Sequence, residues 1–315
     1  MKNYLLRIKE IKRRYAISET ERFAAAPGGT HHKVFISDRY AIRFRDDNPK
    51  LLLREAKFLK QFNHALMPKI LRSGKINQSF FMIENRLPGQ TINSVWRSLP
   101  AGDKKNVIGQ VINFLRSQRT ETKDYVYSVK TGRNYKTFLD YLLDGFKRKI
   151  INIKKFKQTG GILPSLFLIF NNPKINNLFV AKTKNVLVHG DLIIHNLLTD
   201  GKNLTGVLDW ELALFGDADY DLCRLLYYQE CAKAYQEQEI DEAFEFDCMD
   251  KLIAAMLKSD LIKNKKIFWK KYKFTRAIFY LNALDWAASS NRPKKNISEL
   301  ITLWNKKSGV ERLRV

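Results

Sequence analysis

Residues Val186 to Leu226 constrain this chain more than any other stretch. They begin VLVHGDLIIHNLL, turn, and continue as VLDWELALFGDADYDLCRLL. Each half is an apolar, β-prone run that carries polar residues to its end. The first delivers His189, Gly190 and Asp191, with Asn196 five residues beyond Asp191. The second delivers Asp209, then Asp217, Asp219 and Asp221. Core packing alone makes no demand for such groups. A carboxylate, an amide and a second carboxylate at the ends of hydrophobic strands suit a metal-phosphate site, because magnesium takes hard oxygen ligands.

The rest of the chain is long enough to surround such a site. At 315 residues it can form two domains or two lobes, and at 45% hydrophobic and 12% aromatic it can bury a sizeable core. A net charge of +24 favours polyanions in general. The lysines are scattered and form no basic block, so solubility explains that charge, and neither nucleic acid nor membrane is an expected partner. Cys223, Cys231 and Cys248 lack metal-ligand spacing and read as reduced thiols of a cytoplasmic protein. The longest apolar run, Ile162 to Phe170, contains Pro164 and is too short to span a bilayer. Met1 to Tyr15 reads as a short basic amphipathic helix, with Leu5, Leu6, Ile8 and Ile11 packed on a domain edge.

Residues Glu21 to Glu84 read as a strand-rich lobe. Arg22–Ala26, Lys33–Ser37 and Tyr40–Arg45 form a three-stranded meander, its first turn at Pro27-Gly28-Gly29-Thr30. Pro49 opens a helix whose apolar face is Leu51, Leu52, Ala56, Leu59 and Phe62. Lys69–Ser73 and Phe80–Glu84 close the sheet around a turn at Gly74, and Arg86-Leu87-Pro88-Gly89 reads as a linker. Beyond it the pattern is helical over Lys104–Arg119 and Tyr135–Ile153. Gln158–Asn177 reads as loop with a short helix. A strand pair occupies Val186–Trp210, and helices run from Tyr220 to about Arg312. The plan is α+β and bilobal. It has an N-terminal lobe at 1–86, a hinge at 84–89 and a larger, mainly helical lobe at 90–315.

Phosphoryl transfer needs a carboxylate for the attacking hydroxyl, oxygen ligands for magnesium and a cation on the phosphates. Asp191, at the exit of a strand, suits hydroxyl orientation and proton acceptance. Asn196 follows on the same loop. A hairpin would return Asp209, at the end of the next strand, to its side.

These residues carry a resemblance. HGDLIIHNLL resembles the H-G-D-x-x-x-x-N motif of the aminoglycoside phosphotransferase and choline kinase family. VLDWE is similar to that family's second metal motif, and GDADYDLCRL to the segment after it. The resemblance implies a protein-kinase-like fold and a kinase of small-molecule hydroxyls, using Mg2+ and ATP or GTP. It implies Asp191 as catalytic base and Asn196 and Asp209 as magnesium ligands. His189 would brace the catalytic loop and Asp221 anchor it, with Asp217 and Asp219 as solvated turn residues. Gly28, Gly29 and Thr30 fall where a phosphate-covering loop belongs. Arg43 matches the family's phosphate-contacting lysine, with Arg45, of the same side-chain parity, as the rival. Glu55 matches the helix glutamate that pairs with that cation; an exposed helix charge is the alternative. Backbone groups of Asn85 and Leu87 would bond the purine.

The acceptor is less constrained. Seven acids and no base lie between Tyr235 and Asp250 (Glu237, Glu239, Asp241, Glu242, Glu245, Asp247 and Asp250). Such an island suits a cationic acceptor of the aminoglycoside type, or is a solvated helix face. Tyr227, Tyr228, Trp269 and Trp286 with Asp285 could instead box a quaternary amine or pack in the core. Choline or ethanolamine, an amino sugar and a macrolide are the other acceptors considered, and a monomer is expected. A non-catalytic kinase-like binding module with a basic surface is the alternative class. A protein kinase is disfavoured, because no D-F-G or A-P-E segment follows Asp209.

Overall fold

The structure is a computed structural model that describes residues 2–26, 33–155, 173–179, 184–236, 246–289 and 302. The chain divides into two compact units. One comprises Met1–Val107, Val129–Arg133 and His195–Ala213; the other comprises Ile108–Ser128, Asn134–Ile194 and Leu214–Val315.

The first unit is built on a five-stranded antiparallel sheet. Its strands are β1 (Ala24–Ala25), β2 (Lys33–Ile36), β3 (Tyr40–Arg45), β4 (Ile70–Ile76) and β5 (Ser79–Asn85), in the order β1-β2-β3-β5-β4. Two helices belong to this unit's N-terminal part, α1 (Lys2–Arg14) and α2 (Pro49–Leu59). In β3 the alternation of YAIRFR sorts the side chains. Ile42 and Phe44 join Ile8, Ile11, Phe35, Ile76, Phe81 and Ile83 in one apolar cluster beneath α1. Each large side chain so buried stabilises the unit by about 1.5–3 kcal/mol. Arg43 alternates to the other face and meets α2. Leu5 and Leu6 of α1 are exposed, so only Ile8 and Ile11 of the expected apolar face are buried.

Helix α2 begins where Asn48 accepts the N–H of Leu51 at 3.3 Å and Pro49 takes the first turn. Its buried stripe is Leu51, Leu52, Glu55, Ala56, Phe58 and Leu59. A glutamate therefore sits inside an otherwise apolar row.

The turn expected at Gly74 lies elsewhere. Gly74 is paired inside β4 opposite Phe81, and the chain reverses after Ile76, which pairs with Ser79. Asn77 adopts φ +52 there, a conformation that asparagine tolerates. After β5 the linker leads to Gln90–Thr91, which pairs with Leu197–Thr199, itself in a hairpin with Leu204–Val207. Gly89 makes that approach possible. Its φ is +100, and a Cβ there would lie 2.5 Å from the Thr199 carbonyl oxygen.

In the second unit Thr122–Lys123, Asn185–Val188, Leu214–Gly216 and Val126–Ser128 lie side by side in that order. The strand that delivers Asp191 thus pairs with Leu214–Gly216, and not with the strand before Asp209. Gly190, at φ +80, and the tight turn Ile194–Asn196 split the run VLVHGDLIIHNLL into two separate strands. The helix expected over Tyr135–Ile153 is likewise two pieces. Phe138–Leu143 starts at a capping box between Thr137 and Asp140, and Phe146–Ile153 follows Gly145 at φ +69. Tyr220–Gln236, Phe246–Lys258 and Lys265–Ser289 supply the helical part, with Tyr220, Tyr227, Phe279 and Tyr280 in ring contact at their core. Among the described residues no helix is long and apolar enough to cross a membrane.

Candidate active site

In the first unit one cation faces three carboxylates. Arg43 Nη1 donates to Glu55 Oε1 at 2.6 Å and lies 4.0 Å from Glu84 Oε2; its Nη2 lies 3.5 Å from Asp209 Oδ1. Arg43, Glu55 and Glu84 are buried, Glu55 completely. The alternative of an exposed helix charge for Glu55 is therefore excluded. Burial opposes the charge of Arg43, but Glu55, Glu84 and Asp209 outweigh it and hold the guanidinium above its ordinary value. Burial also pushes the Glu55 carboxyl up to about 7; Arg43 pulls it down, while Asp209 and Glu84 push it further up. Glu84 is raised for the same first reason. The rival cation, Arg45, is engaged elsewhere, with Asp47 at 2.9 Å and with Glu211.

Glu55 also reaches the segment VLDWE. Its Oε1 accepts the backbone N–H of Trp210 at 3.1 Å. Asp209, the preceding residue, holds φ +64, an unusual left-handed conformation for a residue with a side chain. Such strain persists where surrounding contacts over-determine it. Here the Trp210 N–H is held by Glu55, the Trp210 ring N–H by the Val207 carbonyl at 2.8 Å, and the Leu208 N–H by the Asn196 carbonyl at 2.8 Å. The hairpin Leu197–Thr199/Leu204–Val207 thus brings the backbones of Asn196 and Leu208 together, with Asp209 next in line.

These residues fit magnesium. Asp209 Oδ1 is buried and accepts no hydrogen bond; Glu55 Oε2 and Glu84 Oε2 are in the same condition. One arginine does not balance three carboxylates, and the carboxylate of Asp209 and the amide oxygen of Asn196 are the ligand type magnesium takes. Among the described residues no group of three or more His, Cys, Asp or Glu could hold a metal. An ion at Asp209 and Asn196 would draw its remaining ligands from phosphate and water.

The second unit holds Asp191. Its loop is anchored by Asp221, whose Oδ2 accepts the His189 N–H at 3.1 Å and whose Oδ1 accepts the Gly190 N–H at 2.7 Å. The Asp191 N–H donates to His189 Nδ1 at 3.2 Å. His189 is fully buried and braces the loop from inside. Asp191 Oδ1 accepts two N–H bonds, from Nε and Nη2 of Arg224, each at 3.1 Å. Arg224 lies within GDADYDLCRL, but nothing in that segment marks Asp191, thirty-three residues away along the chain, as its partner.

One further expectation is corrected here. Asp217 and Asp219 are not solvated turn residues: Lys271 Nζ bridges them at 2.7 and 2.9 Å, and all three side chains are mostly buried. Asp285 is engaged by Arg148 and Asn152 rather than by a ring of aromatics. Tyr227 is a core residue. The Asn85 N–H, one of the two expected purine contacts, donates to the Lys69 carbonyl at 3.1 Å, and Leu87 is buried two residues later. Gly28, Gly29 and Thr30 lie outside the described residues, as do Glu237, Glu239, Asp241, Glu242 and Glu245.

With this geometry in place, relatives decide the family. Residues 22–252 match the family described as "Phosphotransferase enzyme family". This chain belongs to that family. The chain is 35% identical to hygromycin-B 4-O-kinase of Escherichia coli over 52 residues, a stretch that spans 16% of the chain and 15% of that enzyme. Its fold is similar to that of aminoglycoside phosphotransferase APH(4)-Ia, solved as a ternary complex with AMP-PNP and hygromycin B. The TM-score is 0.69 at 14% identity, covering 96% of this chain and 98% of that one. It is also similar to ADP-bound APH(2'')-Ib, with a TM-score of 0.67 at 15% identity, covering 96% and 97%. The chain therefore has the mixed α+β, protein-kinase-like fold that the motif resemblance implied.

Proposed function

We propose that this phosphotransferase moves the γ-phosphoryl group of ATP onto a hydroxyl of an aminoglycoside-type small molecule. The observation that carries the reading is the meeting of Arg43, Glu55 and Asp209 in one unit, with the Asp209 conformation held through Trp210. A strand cation paired to a helix carboxylate and a carboxylate lacking a hydrogen bond are the parts a nucleotide-metal site needs. That relatives were solved with AMP-PNP and ADP supports ATP as donor, and hygromycin B in the first of those complexes supports the acceptor class.

In this reading Arg43 steadies the nucleotide phosphates and Glu55 holds Arg43. Asp209 and Asn196 would hold magnesium, which neutralises charge on the phosphates when bound. Gly28, Gly29 and Thr30 cover the phosphates, and backbone groups of Asn85 and Leu87 contact the purine. Since the Asn85 N–H is committed to Lys69, its carbonyl and the Leu87 N–H are the groups assigned. Asp191 orients the acceptor hydroxyl and receives its proton. The oxygen of that hydroxyl attacks the γ-phosphorus, the bond to the β–γ bridging oxygen breaks, and the nucleoside diphosphate leaves with the electron pair. A hinge at 84–89 between lobes at 1–86 and 90–315 is part of the same proposal.

The test is a nucleoside diphosphate release screen with MgATP and MgGTP over aminoglycosides, macrolides, choline, ethanolamine and amino sugars. Release stimulated by hygromycin B or another aminoglycoside is expected. Stimulation by choline alone would reassign the acceptor. No stimulation by any hydroxyl compound would favour a binding module.

A further inference from the structure

We propose that Arg224 is a positioning residue that fixes the orientation of the Asp191 carboxylate for attack, an inference that rests on the kinase reading of Asp191. The loop from Asp191 to Asn196 reads DLIIHN and contains neither lysine nor arginine. The cation at the base comes instead from the helix Tyr220–Gln236.

Arg224 is built to hold one carboxylate in one pose. Its Nε and Nη2 both donate to the same oxygen, Asp191 Oδ1, at 3.1 Å. A planar fork presents these two donors together in a fixed geometry, whereas an ammonium is a point charge on a flexible stem. The guanidinium is itself confined, with its carbon 5.9 Å from the Tyr228 ring centre and 5.6 Å from that of Phe279. Burial opposes its charge, yet Asp191 and the neighbouring tyrosines hold it above its ordinary value, so the cation persists wherever the enzyme is folded.

Position along the helix joins the two grips on the loop. Asp221 and Arg224 are three residues apart and share one helix face. Asp221 accepts the backbone N–H groups of His189 and Gly190, while Arg224 donates to the side chain of Asp191. One turn of helix therefore sets both the path of the loop and the direction of its carboxylate. Arg224 touches neither the transferred phosphoryl group nor the proton in this assignment. It acts through Asp191, and its loss costs orientation rather than binding.

The experiment compares full-length wild type with Arg224→Gln, Arg224→Lys and Asp191→Asn, using MgATP and hygromycin B as probes and thermal unfolding to confirm the fold. Folded Arg224→Gln is expected to lose about 10- to 100-fold in kcat while the KM values for ATP and acceptor stay within about two-fold. Arg224→Lys should recover part of the loss, and added guanidinium should raise kcat in Arg224→Gln but not in wild type. Should Asp191→Asn be inactive while Arg224→Gln keeps or exceeds wild-type kcat, the Arg224 assignment is wrong and the kinase reading stands. If wild type and Asp191→Asn consume ATP alike, the kinase reading fails, and this inference falls with it.

Discussion

Glu55 Oε1 accepts the backbone N–H of Trp210 at 3.1 Å while it also holds Arg43 at 2.6 Å. A single carboxylate oxygen thereby ties the helix Pro49–Leu59 to the strand cation and to the residue after Asp209. The position of the helix and the conformation of Asp209 become one variable.

Removing this carboxylate should therefore be costly. Glu55→Ala leaves Arg43 without its nearest partner and the Trp210 N–H without an acceptor, and breaking a buried ion pair destabilises by about 3–5 kcal/mol. Glu55→Gln keeps an oxygen for Trp210 and should cost less. Urea denaturation of the two variants beside wild type checks the order; equal stability of Glu55→Ala and wild type would show that the pair is not structural.

The same cluster predicts a pH dependence of stability. Glu55 titrates near 4.5 when unfolded and, raised by burial, at about 7 when folded. Between those values the folded state binds the extra proton, so stability falls as pH rises from about 4.5 to 7 and levels off above. Glu84 is shifted in the same direction. The melting temperature should decline across that window in wild type and decline less in Glu55→Gln. A slope of opposite sign, or one untouched by the substitution, would contradict the assignment.

Asp221 anchors the loop that carries Asp191. Asp221→Ala would leave the buried N–H groups of His189 and Gly190 unpaired, each at a cost of about 1–3 kcal/mol. Both the melting temperature and kcat should fall, and Asp221→Asn, which keeps one acceptor, should fall between. Activity persisting in a folded Asp221→Ala protein would show that the loop is held by other means.

The acidic island from Tyr235 to Asp250 bears on acceptor charge; in it Asp247 pairs with Lys251 at 2.8 Å, Asp250 accepts from Gln229, and the other five acids lie outside the described residues. The described acids Asp191, Asp217, Asp219, Glu230 and Asp285 all have arginine or lysine partners within the chain. Recognition of a cationic acceptor is therefore expected to fall to Glu237, Glu239, Asp241, Glu242 and Glu245. Replacing all five by their amides should raise the KM for a cationic aminoglycoside while leaving the KM for ATP unchanged. An unaltered acceptor KM would assign the island to solvated surface.

Much of this was legible in the residues. YAIRFR alternates, so the bounds of the strand Tyr40–Arg45 and the shared parity of Arg43 and Arg45 follow from a period of two. Which of the two meets Glu55 did not follow, because that choice is made by packing on the helix. Glu55 itself looks like any helix charge; only the stripe of Leu51, Leu52, Phe58 and Leu59 around it, seen in three dimensions, shows that it is buried. Gly74 and Asn77 are both turn formers, and the pairing of Gly74 with Phe81 decided between them. The partner of the strand Asn185–Val188 was missed because Leu214–Gly216 is three residues long and reads as connection. The pairing of Arg224 with Asp191 is not legible, since a contact over such a separation depends on the helix being placed first.

The most direct test of the account is the rate at which labelled γ-phosphate passes from ATP to the acceptor in wild type and in Asp191→Asn, each shown to be folded and to bind nucleotide. A general base contributes about 100- to 10,000-fold, so transfer should fall by that much in the variant while nucleotide binding is retained. Equal rates of transfer in the two proteins would contradict the assignment of Asp191 and the reaction built on it.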